Sequence, residues 1–477
     1  MGEMNDSQTT APEVDGPLLV FDDPLPEDEP RGDVHAVEVG GMFFPEAPTS
    51  LDNTGIAPEV LLNLALKFAH TTAQFDTGLV AHRLHLPMSL VVQLLEQLRA
   101  EKLIEVLGGA GPFNYRFRIT LLGRERAEWL MAICGYVGPA PVSVHAYTEL
   151  IEEQSARLPQ ITPHDVSAAI SGLVLTDATV ELAGLAVSSG RSLFLYGPPG
   201  NGKTTLGRML HQALQGDLWI PYCIGIENQI IRVFDRHCHT EMDEHLSREC
   251  RQRYDRRWVR IRRPLVVVGG ELTLAELDLI YDATRRYYEA PLHMKANGGI
   301  FLLDDFGCQR TPPTALLNRW IIPLEQRIDY LTLATGQQIQ VPFRNMLVVS
   351  TNLDVQQVMA PGLLRRMGYR VNMENPSPER YAQVFSEYAA RAGLAVPPGL
   401  VDWLLARYRT EGRPLRSCEP RDLIERARDI CRYRGWSDAL TQEVLALAWT
   451  GYFGSDSSMD PTEPSLTAGA TPPSPTR

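Results

Sequence analysis

The stretch LFLYGPPGNGKTTLGRML, from Leu193 to Leu210, passes from an apolar strand through a glycine- and proline-rich turn into a helix. Gly197 to Thr204 match the pattern G-x-x-x-x-G-K-[ST] in full, in the strand–turn–helix context that the pattern requires. In such a turn, backbone N–H groups and the positive end of the following helix bind phosphate oxygens. The stretch therefore predicts a loop that binds a nucleoside triphosphate, and a chance glycine turn is the weaker interpretation.

The same pattern assigns roles to individual side chains. Lys203 is predicted to reach the β- and γ-phosphates, and the Thr204 hydroxyl to bind Mg²⁺. The predicted nucleotide-binding residues are Gly197, Pro198, Pro199, Gly200, Asn201, Gly202, Lys203, Thr204 and Thr205.

Two later strands end in residues suited to hydrolysis. The apolar strand in GGIFLLDDFG, residues 298–307, delivers Asp304 and Asp305 at its carboxyl end, where a Mg²⁺-bridging acid is expected. We predict that Asp304 binds the metal through water and that Asp305 polarises the attacking water; a structural acidic turn is the alternative. The strand in MLVVSTNLD ends at Asn352, whose amide is predicted to orient that water against the γ-phosphate.

The order GPPGNGKT, an apolar strand ending in DD, then VVSTN, then helices resembles the AAA+ ATPase family over residues 158–452. The resemblance implies ATP as the nucleotide, a ring hexamer with ATP at subunit interfaces, and an arginine finger reaching into a neighbour's site. For the finger, PGLLRRMGYRV offers Arg366, with Arg365 as the second candidate. The resemblance also implies a lid arginine on the γ-phosphate, for which CEPRDLIERA offers Arg421. A solvated surface charge is the alternative for each arginine.

The acidic pair departs from the family pattern, which is Asp-Glu rather than Asp-Asp. The shorter Asp305 side chain predicts slow hydrolysis or a switch-like role unless the backbone compensates, since a misplacement of about 1 Å costs ~10²-fold in rate. Glu271 is the next candidate for the base.

This chain carries two additional segments at positions similar to those in one branch of the AAA+ family. That branch contains MoxR-type ATPases, magnesium-chelatase subunits and bacterial enhancer-binding activators. These segments are a long insertion at 218–299 and a predicted hairpin turning near Thr335 and Gly336. The enhancer-binding signature GAFTGA is absent, which counts against activation through sigma-54. As a whole the chain resembles bacterial AAA+ ATPases sometimes described as chaperones. The stretch Tyr281 to Tyr288 is either a projecting pore loop or a packed insertion.

Composition and periodicity together predict an α/β P-loop NTPase (AAA+) domain with a helical lid, preceded by a small winged-helix-like α+β domain, with disordered termini. Residues 1–50 hold twelve Asp/Glu and one Arg, and so carry most of the net charge of −13. The predicted units are an acidic tail, the winged-helix-like domain, a linker, the nucleotide-binding domain, the lid and a second tail, at residues 1–50, 51–138, 139–157, 158–375, 376–452 and 453–477.

The small domain leaves two classes of partner open. Its candidate reading helix offers Gln93 and Gln97 early, with Arg99 and Lys102 late, a poor set for DNA bases. We therefore favour a hexameric ATPase that remodels a protein partner or adaptor. A DNA-associated ATPase or regulator, recruited through this domain with help from Arg116 and Arg118, is the alternative.

Other features argue against further functions. No apolar run approaches the ~20 residues that span a bilayer, so no membrane insertion is expected. The start lacks the features of a secretory signal, and seven scattered cysteines predict reduced thiols in the cytoplasm. RHCHTEMDEHLSREC, residues 236–250, fits no zinc-finger spacing. The basic run Arg251–Arg263 favours a subunit interface or a solvated face over a phosphate site.

Overall fold

The structure is a computed structural model that describes residues 36–111, 114–242, 247–353 and 365–454. Its strands are β1 (Ala36–Val39), β2 (Met42–Pro45), β3 (Phe75–Asp76), β4 (Ile104–Gly111), β5 (Asn114–Ile119), β6 (Val142–Ser143), β7 (Leu193–Tyr196), β8 (Asp217–Pro221), β9 (Cys223–Ile226), β10 (Gln229–Arg232), β11 (Trp258–Arg262), β12 (Leu265–Val268), β13 (Ile280–Asp282), β14 (Tyr287–Glu289), β15 (Ile300–Leu303), β16 (Ile328–Thr332), β17 (Gln338–Pro342), β18 (Met346–Ser350) and β19 (Tyr369–Asn372). Its α-helices are α1 (Pro58–Thr71), α2 (Thr77–Leu84), α3 (Met88–Ala100), α4 (Leu121–Ile133), α5 (Val144–Ala156), α6 (Pro163–Ala169), α7 (Asp177–Ser189), α8 (Lys203–Leu210), α9 (Arg248–Arg253), α10 (Leu292–Lys295), α11 (Pro313–Arg319), α12 (Ile321–Gln326), α13 (Pro378–Arg391), α14 (Leu400–Thr410), α15 (Glu419–Arg434) and α16 (Gln442–Phe453).

A parallel sheet in the order β12-β15-β18-β7-β19 positions the candidate site. Its central strands are apolar along their whole length because both faces are covered. Phe194 and Phe301 enter the core on one face, whereas Leu195 and Leu302 enter the core on the other. The order places the carboxyl ends of β7, β18 and β15 side by side. This arrangement, with a glycine-rich loop between β7 and α8, is the P-loop NTPase fold predicted from the sequence.

Residues 51–138 form a small unit of three helices, a β-hairpin and a fourth helix. The hairpin β4–β5 is joined by the short β3 in a three-stranded sheet. Its core also takes Cys223, Ile230 and Tyr287 from the insertion. The small unit is therefore packed on the insertion.

The predicted linker at 139–157 is wrong over most of its length. β6 pairs in parallel with β9, which places it at the edge of the sheet β13-β14-β10-β9-β6. α5 buries Tyr147, Leu150 and Ile151 in the core of the insertion. The linker was predicted from the Pro- and Val-rich beginning of this segment. The rest of the segment is an amphipathic helix whose apolar positions lie on one face.

The predicted acidic tail is also too long. Residues 36–45 form the antiparallel hairpin β1–β2, and Phe44 is fully buried in the core of the insertion. The indole nitrogen of Trp219 donates to the carbonyl of Phe43 at 2.9 Å. The composition averaged over residues 1–50 is acidic, and so it did not indicate the short apolar stretch at 36–45. Residues 1–35 and 455–477 lie outside the described residues.

Helices α13 to α16 pack around one core, in which Tyr381, Phe385, Tyr408 and Trp449 are buried. All seven cysteines are unpaired thiols in the structure. Among the described residues, no single helix is long and apolar enough to cross a membrane. One pair, α2 with α3, passes that test only when taken together across a 115° bend.

Candidate active site

The phosphate-binding loop follows the buried strand β7 and depends on glycine for its shape. Gly197 and Gly200 have φ of 128° and 83°, in the region that other residues rarely adopt. A Cβ on Gly197 would lie 2.6 Å from the carbonyl oxygen of Met373, and one on Gly200 2.7 Å from the Cys418 sulfur. Any side chain at either position would push the loop away from β19 and the C-terminal helices.

Lys203 begins α8 and is 6% exposed. Its Nζ donates to the carbonyl oxygens of Gly197 at 2.9 Å and Pro198 at 2.8 Å, so the ammonium lies inside the loop. Burial lowers the pKa of Lys203, and the nearby carboxylates of Asp305 and Asp304 oppose that shift. The loop thus holds the Lys203 nitrogen near the carboxylates of Asp304 and Asp305.

Thr204 and Asp304 meet although they lie on different elements. The Thr204 hydroxyl donates to Asp304 Oδ1 at 2.6 Å, which joins the first turn of α8 to the end of β15. A hydroxyl and a carboxylate oxygen are ligands that Mg²⁺ accepts. The structure therefore brings together the two residues that the sequence predicted as metal ligands.

Asp305 and Asn352 also meet, across the ends of β15 and β18. Asn352 Nδ2 donates to Asp305 Oδ1 at 3.2 Å. Asp305 has φ of 46°, a left-handed conformation that Asp tolerates better than most residues, and its N–H donates to Asp304 Oδ1 at 3.1 Å. The backbone turn at Asp305, rather than the side-chain length, sets where this carboxylate lies.

Lys203, Thr204, Asp305 and Asn352 line a cavity of about 450 Å³ together with side chains that sequence reasoning missed. One wall is the segment Gly172–Leu175 between α6 and α7, and another is the face of α13 that carries Val384, Tyr388 and Arg391. Apolar walls of this kind suit the flat base of a nucleotide. No local motif marks these residues, because packing of distant segments brings them to the loop.

Arg421, the predicted lid arginine, lines the same cavity from the first turns of α15. Its guanidinium donates to Asp422 at 2.9 Å, and this bond raises the pKa of Arg421. The side chain therefore lies beside the cavity as a permanent cation, held by a neighbouring acid.

Asn201 was predicted to bind nucleotide, but its amide is used by protein groups. It donates to Met373 O at 3.2 Å and to Asn375 Oδ1 at 2.9 Å, and its oxygen accepts from Ser417 N at 3.2 Å. Asn201 thus fastens the loop to β19 and to the C-terminal helices.

Gln309 is a buried residue that belongs to no recognisable sequence motif. Its side chain accepts from Gly307 N at 2.7 Å and donates towards the carbonyls of Gly269, Asp304 and Asp305 at 3.2, 3.3 and 3.4 Å. The Gln309 amide thus connects the turn at Asp304 and Asp305, which we call the acidic turn, to the end of β12 by hydrogen bonds.

The candidate arginine finger, Arg366, and the alternative candidate for the base, Glu271, do not line the cavity of their own chain. Arg366 pairs with Glu325 of α12 and is not part of the cavity wall, and Arg365 is exposed. Glu271 accepts from Gly269 N at 2.8 Å, which lowers its pKa, and its carboxylate is also absent from the cavity wall. The structure of one chain therefore brings neither Arg366 nor Glu271 to the candidate site.

The candidate pore loop, Tyr281 to Tyr288, is packed at its C-terminal end and mostly exposed over the rest. β13 and β14 form a hairpin within the five-stranded sheet, and Tyr287 and Tyr288 are buried. The tip of the hairpin, with Arg285 and Arg286, is exposed, and Tyr281 is 42% exposed. The packed-insertion interpretation therefore describes Tyr287 and Tyr288, whereas Tyr281 lies at the surface.

The basic run Arg251–Arg263 contains both exposed and buried arginines: Arg251, Arg253, Arg256 and Arg262 are exposed, whereas Arg257 and Arg263 are buried. Arg257 is buried against Asp255 at 2.8 Å and donates to the carbonyls of Thr54 and Pro141. Arg263 is buried too, and donates to the carbonyls of Gln215 and Gly298.

The His- and Cys-containing stretch 236–250 was not expected to hold zinc. His239 is buried, accepts from Asp235 N at 3.0 Å, and its Nε2 lies 2.8 Å from Lys295 O. In the part of the chain that the structure describes, no three potential ligands are grouped as a metal site. His245 lies outside the described residues.

Comparisons with known proteins give one family and weak structural likenesses. A family model described as a domain of unknown function, DUF8689, matches residues 377–451, the four helices α13 to α16. No curated protein sequence matches the chain. NtrX from Brucella abortus in complex with ATP is 15% identical with a TM-score of 0.36, covering 63% of this chain and 60% of NtrX. RuvB from Thermotoga maritima, a Holliday junction branch migration motor, is 13% identical with a TM-score of 0.34, covering 58% of this chain and 69% of RuvB. The fold assignment rests on the sheet order and the loop geometry rather than on these likenesses.

Proposed function

We propose that this protein binds and hydrolyses ATP with Mg²⁺, as an AAA+ ATPase of the branch that includes MoxR-type and magnesium-chelatase proteins. The observation that carries the proposal is the meeting of three strand ends at one cavity. There Thr204 lies 2.6 Å from Asp304, and Asn352 lies 3.2 Å from Asp305, next to the buried Lys203.

The residues present fit the groups that the proposal requires. Lys203 Nζ already binds two oxygen atoms of its own loop, and phosphate oxygens would replace those acceptors. The Thr204 hydroxyl and the Asp304 carboxylate supply oxygen ligands for Mg²⁺. Bound Mg²⁺ neutralises charge on the β- and γ-phosphates.

The chain's own residues then account for hydrolysis. Asn352 and Asp305, which bond each other directly, orient a water beside them, and Asp305 accepts its proton as the water oxygen bonds to the γ-phosphorus. The bond from that phosphorus to the β–γ bridging oxygen breaks, and ADP leaves with the electron pair. Arg421 stabilises the charge on the γ-phosphate from the lid side.

Phosphate release from ATP by the full chain, measured across a range of Mg²⁺ concentrations, tests the proposal. Thr204→Val keeps the shape of the side chain and removes the oxygen, so we expect half-maximal activity to need more Mg²⁺. Thr410→Val removes an exposed hydroxyl on α14, outside the cavity wall, that bonds only the Ala406 carbonyl of its own helix, and is the matched control. An unchanged Mg²⁺ requirement in Thr204→Val would contradict the assigned ligand.

We further propose a nucleotide-supported ring, most simply a hexamer, in which Arg366 of one subunit completes the site of the next. Its position away from its own cavity is compatible with action in a neighbour. An arginine finger contributes ~10³-fold or more to the rate.

Mixing two inactive variants tests the shared site. Lys203→Ala subunits lack the loop lysine and Arg366→Ala subunits lack the finger, so mixed rings contain some sites with both residues. We expect phosphate release to reappear on mixing. Activity that remains equal in Arg366→Ala and in wild-type protein, or no recovery on mixing, would contradict the shared site.

For the partner we propose a protein, contacted through the small unit at residues 51–138, which we interpret as winged-helix-like. Its hairpin and α4 expose apolar side chains: Leu121 is 75% exposed, Leu122 54%, Tyr115 49% and Leu107 42%. Arg118, one of the candidate DNA contacts, is instead paired with Glu105. Exposed apolar surface of this kind marks protein contacts.

The DNA-associated alternative predicts a distinct result. A DNA-binding chain would be retained on duplex DNA with an affinity that falls steeply as salt rises. We expect no such retention by the full chain at physiological salt. Retention that is lost in Arg116→Ala would favour the DNA-associated function.

A further inference from the structure

A second cleft, of about 910 Å³, lies between the small unit and the insertion. Its walls come from the segment that follows α4, from the end of β10 and the residues after it, and from the turn between β13 and β14. We call it the arginine cleft, after the side chains Arg232, Arg236, Arg285 and Arg286 that line it.

The arginine cleft carries an excess of positive charge. Arg236 is 84% exposed and lies 3.6 Å from Glu241, and Arg285 lies 3.6 Å from Asp282, so both pairs are loose. Arg286 donates to the carbonyl of Met131 at 3.3 Å. These three guanidinium groups keep donors available for an anion.

The one carboxylate among the lining residues does not cancel this charge. Asp235 accepts from Lys295 Nζ at 2.8 Å, and Arg232 is matched by Glu289 at 2.8 Å. Asp235 and Glu289 are thus each paired with a cation. Among the described residues, no carboxylate lies within 3.5 Å of the guanidinium groups of the other three arginines that line the cleft.

The turn that carries two of the arginines is held in a costly conformation. Arg286 has φ of 60°, which is uncommon for a residue with a long side chain. Asp282 Oδ1 accepts from the N–H groups of Thr284 and Arg285, both at 2.9 Å. A Cβ on Gly135 would lie 2.5 Å from Arg285 O, so the turn sits against the small unit. Such strain is typical of positions kept for binding.

Aromatic rings form part of the lining, beside the aliphatic side chains of Met131, Val137 and Pro139. Phe234 and Tyr287 are each 8% exposed, and the ring of Tyr222 packs edge-on against Phe234 at 5.2 Å. The cleft therefore suits a ligand that combines negative charge with an apolar portion.

The chain itself carries such a ligand. Residues 1–35 contain ten Asp/Glu and one Arg, and include PLLVFDDPLPEDEPR at 17–31, where an apolar run precedes the acids. The described residues begin at Ala36, in a strand that packs on the same core as Phe234 and Tyr222. At ~3.3–3.6 Å per residue, the chain from Asp23 to Ala36 spans at most ~45 Å, ample to reach nearby surface.

We propose that residues 17–33 dock in the arginine cleft, with Leu18 to Phe21 on its aromatic rings and the following acids on its arginines. A tethered segment has an effective concentration in the millimolar range, so modest contacts suffice to hold it. The proposal favours this acidic peptide over a nucleic acid because the complementary charge is already joined to the chain.

Trypsin cleavage after Arg31 of the full-length chain tests the proposal. Arg31 is the only Lys or Arg before Lys67, so mass spectrometry reports its cleavage without ambiguity. A docked segment protects Arg31. We expect Arg285→Gln/Arg286→Gln to speed this cleavage by about tenfold, which corresponds to ~1.4 kcal/mol. Asp22→Asn/Asp23→Asn, which changes none of the residues that the structure describes, should speed it as well.

Arg432→Gln is the matched control, because Arg432 is an exposed arginine paired with Asp429 on α15. It should leave cleavage after Arg31 unchanged. Equal rates in wild type and in both double variants would overturn the proposal, and so would equal acceleration by the control. The proposal is also overturned if a single-stranded oligonucleotide binds wild type but not Arg285→Gln/Arg286→Gln, while Asp22→Asn/Asp23→Asn cleaves at the wild-type rate. Nucleic acid would then be the occupant.

Discussion

Replacing Asp305 separates the chemistry of the candidate site from its binding of nucleotide. Asp305→Asn keeps the size of the side chain, and Asn tolerates the observed φ of 46° as well as Asp does. Thr204 and Asp304 are untouched, so Mg²⁺ and ATP should still bind. Loss of the general base predicts a fall of about 10²–10⁴-fold in hydrolysis.

Asp305→Glu restores the residue usual in the AAA+ family, yet we predict lower turnover. A Glu in the left-handed region costs about 1–2 kcal/mol, and its extra methylene displaces the contact with Asn352 at 3.2 Å. If the turn has to adopt its present shape for catalysis, that cost corresponds to a fall of ~5–30-fold.

Single-turnover hydrolysis, with enzyme in excess over labelled ATP, isolates the chemical step from product release. Glu271→Gln is the matched control, because this nearby carboxylate is absent from the cavity wall and should leave the rate unchanged. Wild-type hydrolysis by Asp305→Asn, together with a stalled Glu271→Gln, would refute the assignment of the base. Faster hydrolysis by Asp305→Glu would refute the argument from the backbone turn.

Three further predictions concern positioning, stability and pH. Gln309→Leu should lower single-turnover hydrolysis by roughly 10²-fold with little change in ATP affinity, because only the acidic turn loses its support. Arg257→Met should lower the free energy of unfolding by about 3–5 kcal/mol, since it leaves Asp255 buried without its cation; urea denaturation should show almost no change for the exposed Arg256→Met. Burial lowers the pKa of His239, whose Nδ1 accepts a backbone N–H, so the unfolded chain takes up a proton that the folded chain does not. Stability should therefore fall as pH drops below about 6.5, and His239→Gln should reduce that slope in urea midpoints measured from pH 7.5 to 5.

The sequence predicted those parts of the site whose chemistry is local to one segment. The loop around Lys203 is contiguous, and Asp304 and Asn352 each end an apolar strand, so a parallel sheet was enough to predict that they meet. The left-handed turn at Asp305 was not predictable, because Asp adopts both kinds of backbone conformation.

Features that depend on contacts between distant segments could not be predicted from the sequence. Gln309 joins β12 to the acidic turn, and Tyr388 reaches the cavity only because α13 folds back over the loop. The strand with Phe44 and the helix with Tyr147 were assigned to a tail and a linker, since composition averaged over a segment hides a short apolar face. Both errors arose where long-range burial outweighed local composition.

Binding of ATP to the full chain in the presence of Mg²⁺, measured by titration calorimetry, tests the central claim most directly. The account predicts saturable binding by wild-type protein that weakens by at least ~100-fold in Lys203→Ala, since the loop then loses the cation facing the β- and γ-phosphates. Arg208→Ala removes an exposed cation from the same helix and should bind ATP as wild type does. Wild-type affinity in Lys203→Ala, or an equal loss in both variants, would contradict the assignment of this cavity as an ATP site.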